Sequence, residues 1–141
     1  MTTVHAEQSP LAEAAARVGD RWTLLIVELL LDGPLRFADI VERIGIASNI
    51  LSQRLKRLEQ DAVIVAQPYS ERPPRFEYEL TASGRELAGA LRLLADWGSR
   101  HAEGSEPLQH AACGTPLEAR WYCPTCARAV DDDEATDVHF A

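Results

Sequence analysis

Between Ile46 and Glu59 the chain reads Ile-Ala-Ser-Asn-Ile-Leu-Ser-Gln-Arg-Leu-Lys-Arg-Leu-Glu. Leu51, Leu55 and Leu58 recur at helical spacing, so this segment folds as a helix whose leucine stripe faces a core. At about 100° per residue the opposite arc carries Asn49, Ser52, Gln53, Lys56, Arg57 and Gln60, without a carboxylate among them. Ser48 has the right chemistry for an N-cap, since its hydroxyl can accept from a backbone N–H one turn on. A solvated helix face ordinarily mixes both signs of charge. Amides and hydroxyls on this arc can read base edges, and its cations can hold phosphates.

The formal net charge of −8 argues at first against a polyanionic partner. The placement of that charge along the chain removes the objection. Residues 1–101 hold 12 Lys/Arg against 14 Asp/Glu, whereas residues 102–141 hold 2 against 8, with Asp131-Asp-Asp-Glu134 the densest run. Fields from exposed charges fade over about 10 Å at cellular salt, so local placement decides. A length of 141 residues suits one domain with a small appendage. The longest apolar run, Leu24 to Leu31, is interrupted by Glu28 and is far too short to span a membrane. Met1 to Glu7 shows no cationic patch followed by an apolar block, so the expectation is a cytoplasmic protein without a membrane partner.

The remaining signals order themselves around the polar helix. Ser9-Pro10 opens a first helix that stops near Gly19, and Asp20 caps a second, nearly all-apolar one that ends at Asp32-Gly33-Pro34. A short third helix runs from about Phe37 to Ile44 and is ended by Gly45. Only a brief turn separates it from Ser48, which makes a helix-turn-helix. Val63 to Ala66 is β-branched and short, and Phe76 to Leu80 alternates apolar with acidic residues, so both read as strands. Pro73-Pro74 predicts that the hairpin between them opens into a projecting loop. Thr81 caps one long last helix, Ala82 to about His101, with Leu87, Leu91, Leu94 and Trp97 on one side. The fold class is therefore mainly α with a small β wing: a winged helix-turn-helix over residues 9–101 after a disordered leader at 1–8.

Gly19-Asp-Arg-Trp-Thr-Leu-Leu-Ile26, Arg36-Phe37, Leu51-Ser-Gln-Arg-Leu-Lys-Arg-Leu-Glu59, Pro73-Pro74, Tyr78-Glu-Leu-Thr81, Gly84 and Trp97-Gly98 occur in the order found in HxlR-type winged helix-turn-helix regulators of bacteria, which this chain resembles. The resemblance implies a homodimer held by the first and last helices, a palindromic double-stranded DNA operator, repression as the usual outcome, and a pocket for a small-molecule effector between the dimer halves. Two departures stand out. The Asp-Gly-Leu turn common after the recognition helix is Asp61-Ala62-Val63 here, and the basic residue common on the first wing strand is replaced around Ala66-Gln67. Oxidant sensing through an N-terminal cysteine does not carry over, because no cysteine precedes Cys113.

Beyond a linker at 102–109, all three cysteines lie in His110-x2-Cys113-x9-Cys123-Pro-Thr-Cys126. Two tight turns each offering two thiolate or imidazole ligands suit tetrahedral Zn²⁺, so residues 110–128 read as a zinc-knuckle or zinc-ribbon-like module. A segment this small buries too little apolar surface to fold unaided. Free thiols, or a Cys123–Cys126 disulfide, are the competing reading. His101 or His139 could replace His110, and Ala127 stands where many knuckles have Gly. Residues 129–141 form an acidic tail expected to be disordered.

The candidate DNA-binding set is therefore Ser48, Asn49, Ser52, Gln53, Lys56 and Arg57 on helix 48–60 in the major groove, Arg72 and Arg75 on wing 68–75 against backbone or minor groove, and Arg36 at the start of the third helix. Arg54 lies nearer the apolar flank, where pairing with a carboxylate is as reasonable as a phosphate contact. Trp22 and Trp97 fit core or dimer seam better than a ligand cage. The expected function is sequence-specific regulation of transcription. The alternative is a winged-helix protein-interaction module whose zinc or acidic tail binds a protein partner. An enzyme is not expected: four protein ligands leave zinc no open position, and no general base stands near the cysteines in sequence.

Overall fold

The computed structural model describes residues 9–134; the expected leader at 1–8 and residues 135–141 of the acidic tail, with His139, lie outside the described residues, while Ala129 and Val130 at the start of that tail lie in a strand rather than in disorder. Two compact units emerge, one spanning Pro10–Leu91 and the other containing the chain from Arg92 onward.

In the first unit, α1 (Pro10–Val18) is followed by α2 (Arg21–Leu30), whose cap is Asp20: its carboxylate accepts from the Thr23 N–H. A two-residue strand β1 (Leu35–Arg36) leads into α3 (Phe37–Ile44), and Gly45 ends α3 in the left-handed conformation that glycine tolerates. The helix α4 (Ser48–Gln60) then precedes β2 (Ile64–Glu71) and β3 (Pro74–Leu80). Ile26, Val27 and Leu30 of α2 meet Ile40 of α3, Leu51, Leu55 and Leu58 of α4, and Ile64 and Leu80 of the sheet in one buried cluster. The predicted leucine stripe is the inner face of α4.

Four local expectations need correction. Ser48 is not the cap of α4. Ala47 holds the extended N-cap conformation, its carbonyl accepts from the Leu51 N–H at 3.0 Å, and no side chain caps the helix. The sheet has three strands in the order β1-β3-β2, because Leu35 and Arg36 pair with Tyr78 and Glu77. The wing is a paired hairpin rather than an open loop, with Glu71 opposite Pro74 and a register skip between Pro68 and Ser70 that leaves Tyr69 out of the ladder. Pro68 is tolerated because β2 is an edge strand, where a missing N–H can face away from the ladder. Finally, the last helix is two helices, α5 (Ala82–Arg85) and α6 (Ala88–Ser99). Gly84 presses so closely under the sheet that a Cβ there would stand 2.2 Å from the Val63 carbonyl oxygen. The next turn tightens, with the Leu87 N–H donating to the Gly84 carbonyl three residues back.

The second unit has few strands. Its hairpin pairs β4 (Trp121–Cys123) with β5 (Arg128–Val130), Cys123 opposite Arg128. Among the described residues, no helix is long and apolar enough to cross a membrane.

Candidate nucleic-acid interface and cysteine turns

Leu51 at 0%, Leu55 at 2% and Leu58 at 1% exposure fix the rotation of α4, so its other side must face outward. Ser48, Asn49, Ser52, Gln53, Lys56, Arg57 and Gln60 are all exposed. Two arginines of the helix are tied to the fold instead. Arg54 Nε donates to Asp20 Oδ1 at 3.0 Å, the carboxylate alternative of its sequence reading. Arg57 donates to the carbonyl of Ala16 near the end of α1 at 2.6 Å, a bond no sequence signal announced. Of the predicted arc, Asn49, Ser52, Gln53, Lys56 and Gln60 are thus the residues most fully given over to the outer surface.

Asp20 organises this junction. Burial opposes its ionisation, but the Thr23 hydroxyl at 2.5 Å, the Thr23 N–H at 3.2 Å and the Arg54 guanidinium outweigh it and hold the carboxyl below its ordinary value. One carboxylate therefore caps α2, satisfies the buried Thr23 and anchors α4 through Arg54.

The wing supplies the remaining cations. Arg72 and Arg75 are exposed on the hairpin. Arg36 precedes α3, and its guanidinium lies over the ring of Tyr69, 4.2 Å from the centroid. Arg36, Tyr69, Arg75 and Phe76, with Asp39, line one shallow recess at the start of α3. Tyr69 is the part sequence reasoning missed; the only hint was an aromatic residue directly after Pro68 in an otherwise polar stretch. Trp22 is half-buried against the core with Arg21 over its ring, whereas Trp97 is exposed and contacts His101.

The four predicted metal ligands fall into two pairs. His110 Nδ1 and Cys113 Sγ are 3.2 Å apart, and Cys113 Sγ lies 3.2 Å from Thr115 Oγ1. The Thr115 hydroxyl and N–H, with His110, hold the Cys113 thiol below its ordinary value; backbone N–H groups of Cys126 and Thr125 do the same for Cys123. The pairs remain apart: among the described residues, no three His, Cys, Asp or Glu side chains form a cluster able to hold a metal.

Residues 17–106 match the family model described as HxlR-like helix-turn-helix. An uncharacterized HTH-type transcriptional regulator of Mycobacterium tuberculosis, Rv3095, is 34% identical over 128 residues, covering 88% of this chain and 81% of that protein. The reduced form of the Bacillus subtilis transcriptional regulator YodB superposes with a TM-score of 0.58 at 35% identity, covering 70% of this chain and 99% of that one. The structure of PA1607, a proposed transcription factor, covers 93% of this chain and 94% of its own at 28% identity, with a TM-score of 0.74.

Proposed function

The chain belongs to the HxlR-like helix-turn-helix family and is a DNA-binding transcriptional regulator rather than an enzyme; from that premise we propose that it acts as a homodimeric repressor. Two copies of α4 would enter successive major grooves of a palindromic operator, about 34 Å apart. The observation that carries this reading is the outer side of α4, where Asn49, Ser52, Gln53 and Lys56 are exposed together, aimed by three buried leucines.

Asn49, Ser52 and Gln53 are assigned to base edges. Lys56 and Ser48 are assigned to phosphates, and Arg36, Arg72 and Arg75 to the backbone or minor groove beside the wing. Arg57 already gives one N–H to Ala16, so a phosphate would share its guanidinium with the fold. Support for the dimer comes from exposed apolar side chains on the first and last helices, Leu11 on α1 and Leu93, Leu94 and Trp97 on α6. A small-molecule effector acting between the subunits completes the proposal.

Titration of a random-sequence duplex by fluorescence anisotropy at low salt, followed by selection of preferred sequences, tests this. Binding should weaken steeply with salt, as phosphate contacts require. Lys56→Ala should lower affinity for all sequences alike and reduce the salt slope by about 1, whereas Gln53→Ala should relax preference at particular base pairs. Equal effects from the two changes would contradict the assigned roles. Absence of binding at micromolar protein would instead favour the protein-interaction alternative, with the zinc module or the acidic tail as its contact. Sedimentation should give twice the 15.6 kDa chain mass.

A further inference from the structure

The winged helix uses none of the three cysteines, yet the fold builds a matched pair of turns around them. The His110 N–H donates to the Thr115 carbonyl at 2.8 Å and the Leu117 N–H to the Leu108 carbonyl at 2.7 Å, with Gln109 bridged to Pro116. Residues 108–117 are thus an antiparallel hairpin with His110 and Cys113 at its tip, closed by Gly114 in the left-handed region. The β4–β5 hairpin carries Cys123 and Cys126 at its own tip, where Ala127 is left-handed.

Cysteine ligates metal as the thiolate and histidine through a ring nitrogen, so each tip offers two donors from one backbone bend. The His110 and Cys113 donor atoms, 3.2 Å apart, lie near the separation of about 3.6 Å that a tetrahedral zinc imposes on one nitrogen and one sulfur ligand. Apart from main-chain bonds and exposed ion pairs these hairpins have no core: from Ala102 to Glu134 no residue is buried. Among the described residues the two pairs do not form one cluster, so the ion would have to draw them together.

We propose that one Zn²⁺ joins the hairpins as a structural centre, ligated by His110, Cys113, Cys123 and Cys126. On binding, three S–H bonds break and their protons pass to solvent, while neutral His110 contributes a nitrogen lone pair. Four protein ligands leave no position for water, so the ion staples and does not catalyse.

The test uses the full chain, purified under reducing conditions and dialysed against metal-free buffer, with zinc measured by mass spectrometry and free thiols counted. About one zinc per chain is expected, lost in Cys123→Ser, Cys126→Ser and His110→Ala. Substitution of Co²⁺ into the unaltered chain should give the visible bands of a tetrahedral ion together with thiolate charge transfer, a readout that does not depend on any variant folding. Reduced protein that retains no zinc after incubation with the ion and shows no tetrahedral cobalt spectrum would overturn the proposal. A Cys123–Cys126 disulfide as the resting form would do the same. Zinc kept in His110→Ala but lost in His101→Ala would overturn the ligand set. Random-duplex binding should persist in Cys123→Ser, so failure of the zinc centre and failure of the DNA reading are distinguishable.

Discussion

From Pro10 to Leu91 the chain sinks Ile26, Ile40, Leu51, Leu55, Leu58 and Ile64 almost completely out of water; from Ala102 to Glu134 it buries nothing, and only Cys123 and Val130 are half-covered. The first region therefore draws on apolar transfer, about 1.5–3 kcal/mol for each large aliphatic side chain, to offset the entropy of ordering. The second has main-chain hairpin bonds and exposed ion pairs such as Arg128–Glu134 and Arg120–Glu118, which water and salt screen. Patterned hydrophobicity can specify the one. The other has no such core among the described residues, and it is there that the proposed zinc would act, through the His and Cys side chains at the two hairpin tips.

The comparison breaks most readily at Leu51. It is fully buried at the centre of the cluster, so Leu51→Ala removes several methyl-sized groups and leaves a cavity among Ile26, Leu55 and their neighbours. A loss of about 3 kcal/mol is expected, a large fraction of a small domain's stability. Urea unfolding followed by tryptophan fluorescence measures it, while zinc per chain should be unchanged below the transition. A loss under about 1 kcal/mol would mean the leucine stripe is not the support of α4.

Asp20 comes next. Asp20→Ala removes the cap of α2, typically about 1 kcal/mol, and leaves the hydroxyl of buried Thr23 without its acceptor, about 1 kcal/mol more. The sign of the pH dependence follows from the lowered carboxyl value. The unfolded chain binds the proton more readily than the folded one, so the stabilisation is complete above the ordinary value of 3.8 and is lost as pH falls through the lower folded value. The gap between unaltered protein and variant should therefore be constant near neutrality and shrink in acid. A gap that widened in acid would assign Asp20 the wrong role.

These two residues also show what was legible in the sequence. Leu51 and Asp20 are set by short-range rules, helical periodicity and capping, and the structure follows both. The carboxylate-free arc was legible for the same reason. Where the sequence reading failed, a long-range contact decided. Nothing near Gly84 announces that the Val63 carbonyl will crowd it and that the last helix will break. Nothing near Arg57 announces the Ala16 carbonyl, 41 residues away in sequence. The two-residue strand β1 exists only because β3 arrives beside it. Ser48 failed differently: one residue of helix extension moved the cap to Ala47, the scale on which helix boundaries are least determined by sequence. In the C-terminal region the His and Cys spacing foretold the two turns, whereas their separation depends on long-range packing that the spacing does not encode.

The two regions share one oddity, and it gives the finest comparison. Ala62 at φ 55° and Ala127 at φ 53° are both left-handed, each directly after a tight structural corner. Ala62 follows the end of α4, where the Val63 N–H reaches back to the Leu58 carbonyl at 2.9 Å and the Thr81 hydroxyl donates to the Ala62 carbonyl at 2.6 Å. A Cβ in this conformation costs about 1–2 kcal/mol, and glycine returns part of that through its freer unfolded state. Ala62→Gly should therefore stabilise the winged helix by about 0.5–1 kcal/mol, a midpoint rise of a few degrees. Ala127→Gly relieves the same strain in a hairpin without a buried core. Its expected effect on the main transition is within about 0.5 kcal/mol, the gain showing instead as slower amide exchange in β4 and β5. Equal rises from both substitutions would show that the hairpin unfolds together with the leucine core, and the contrast between a region with a buried core and one without would no longer hold.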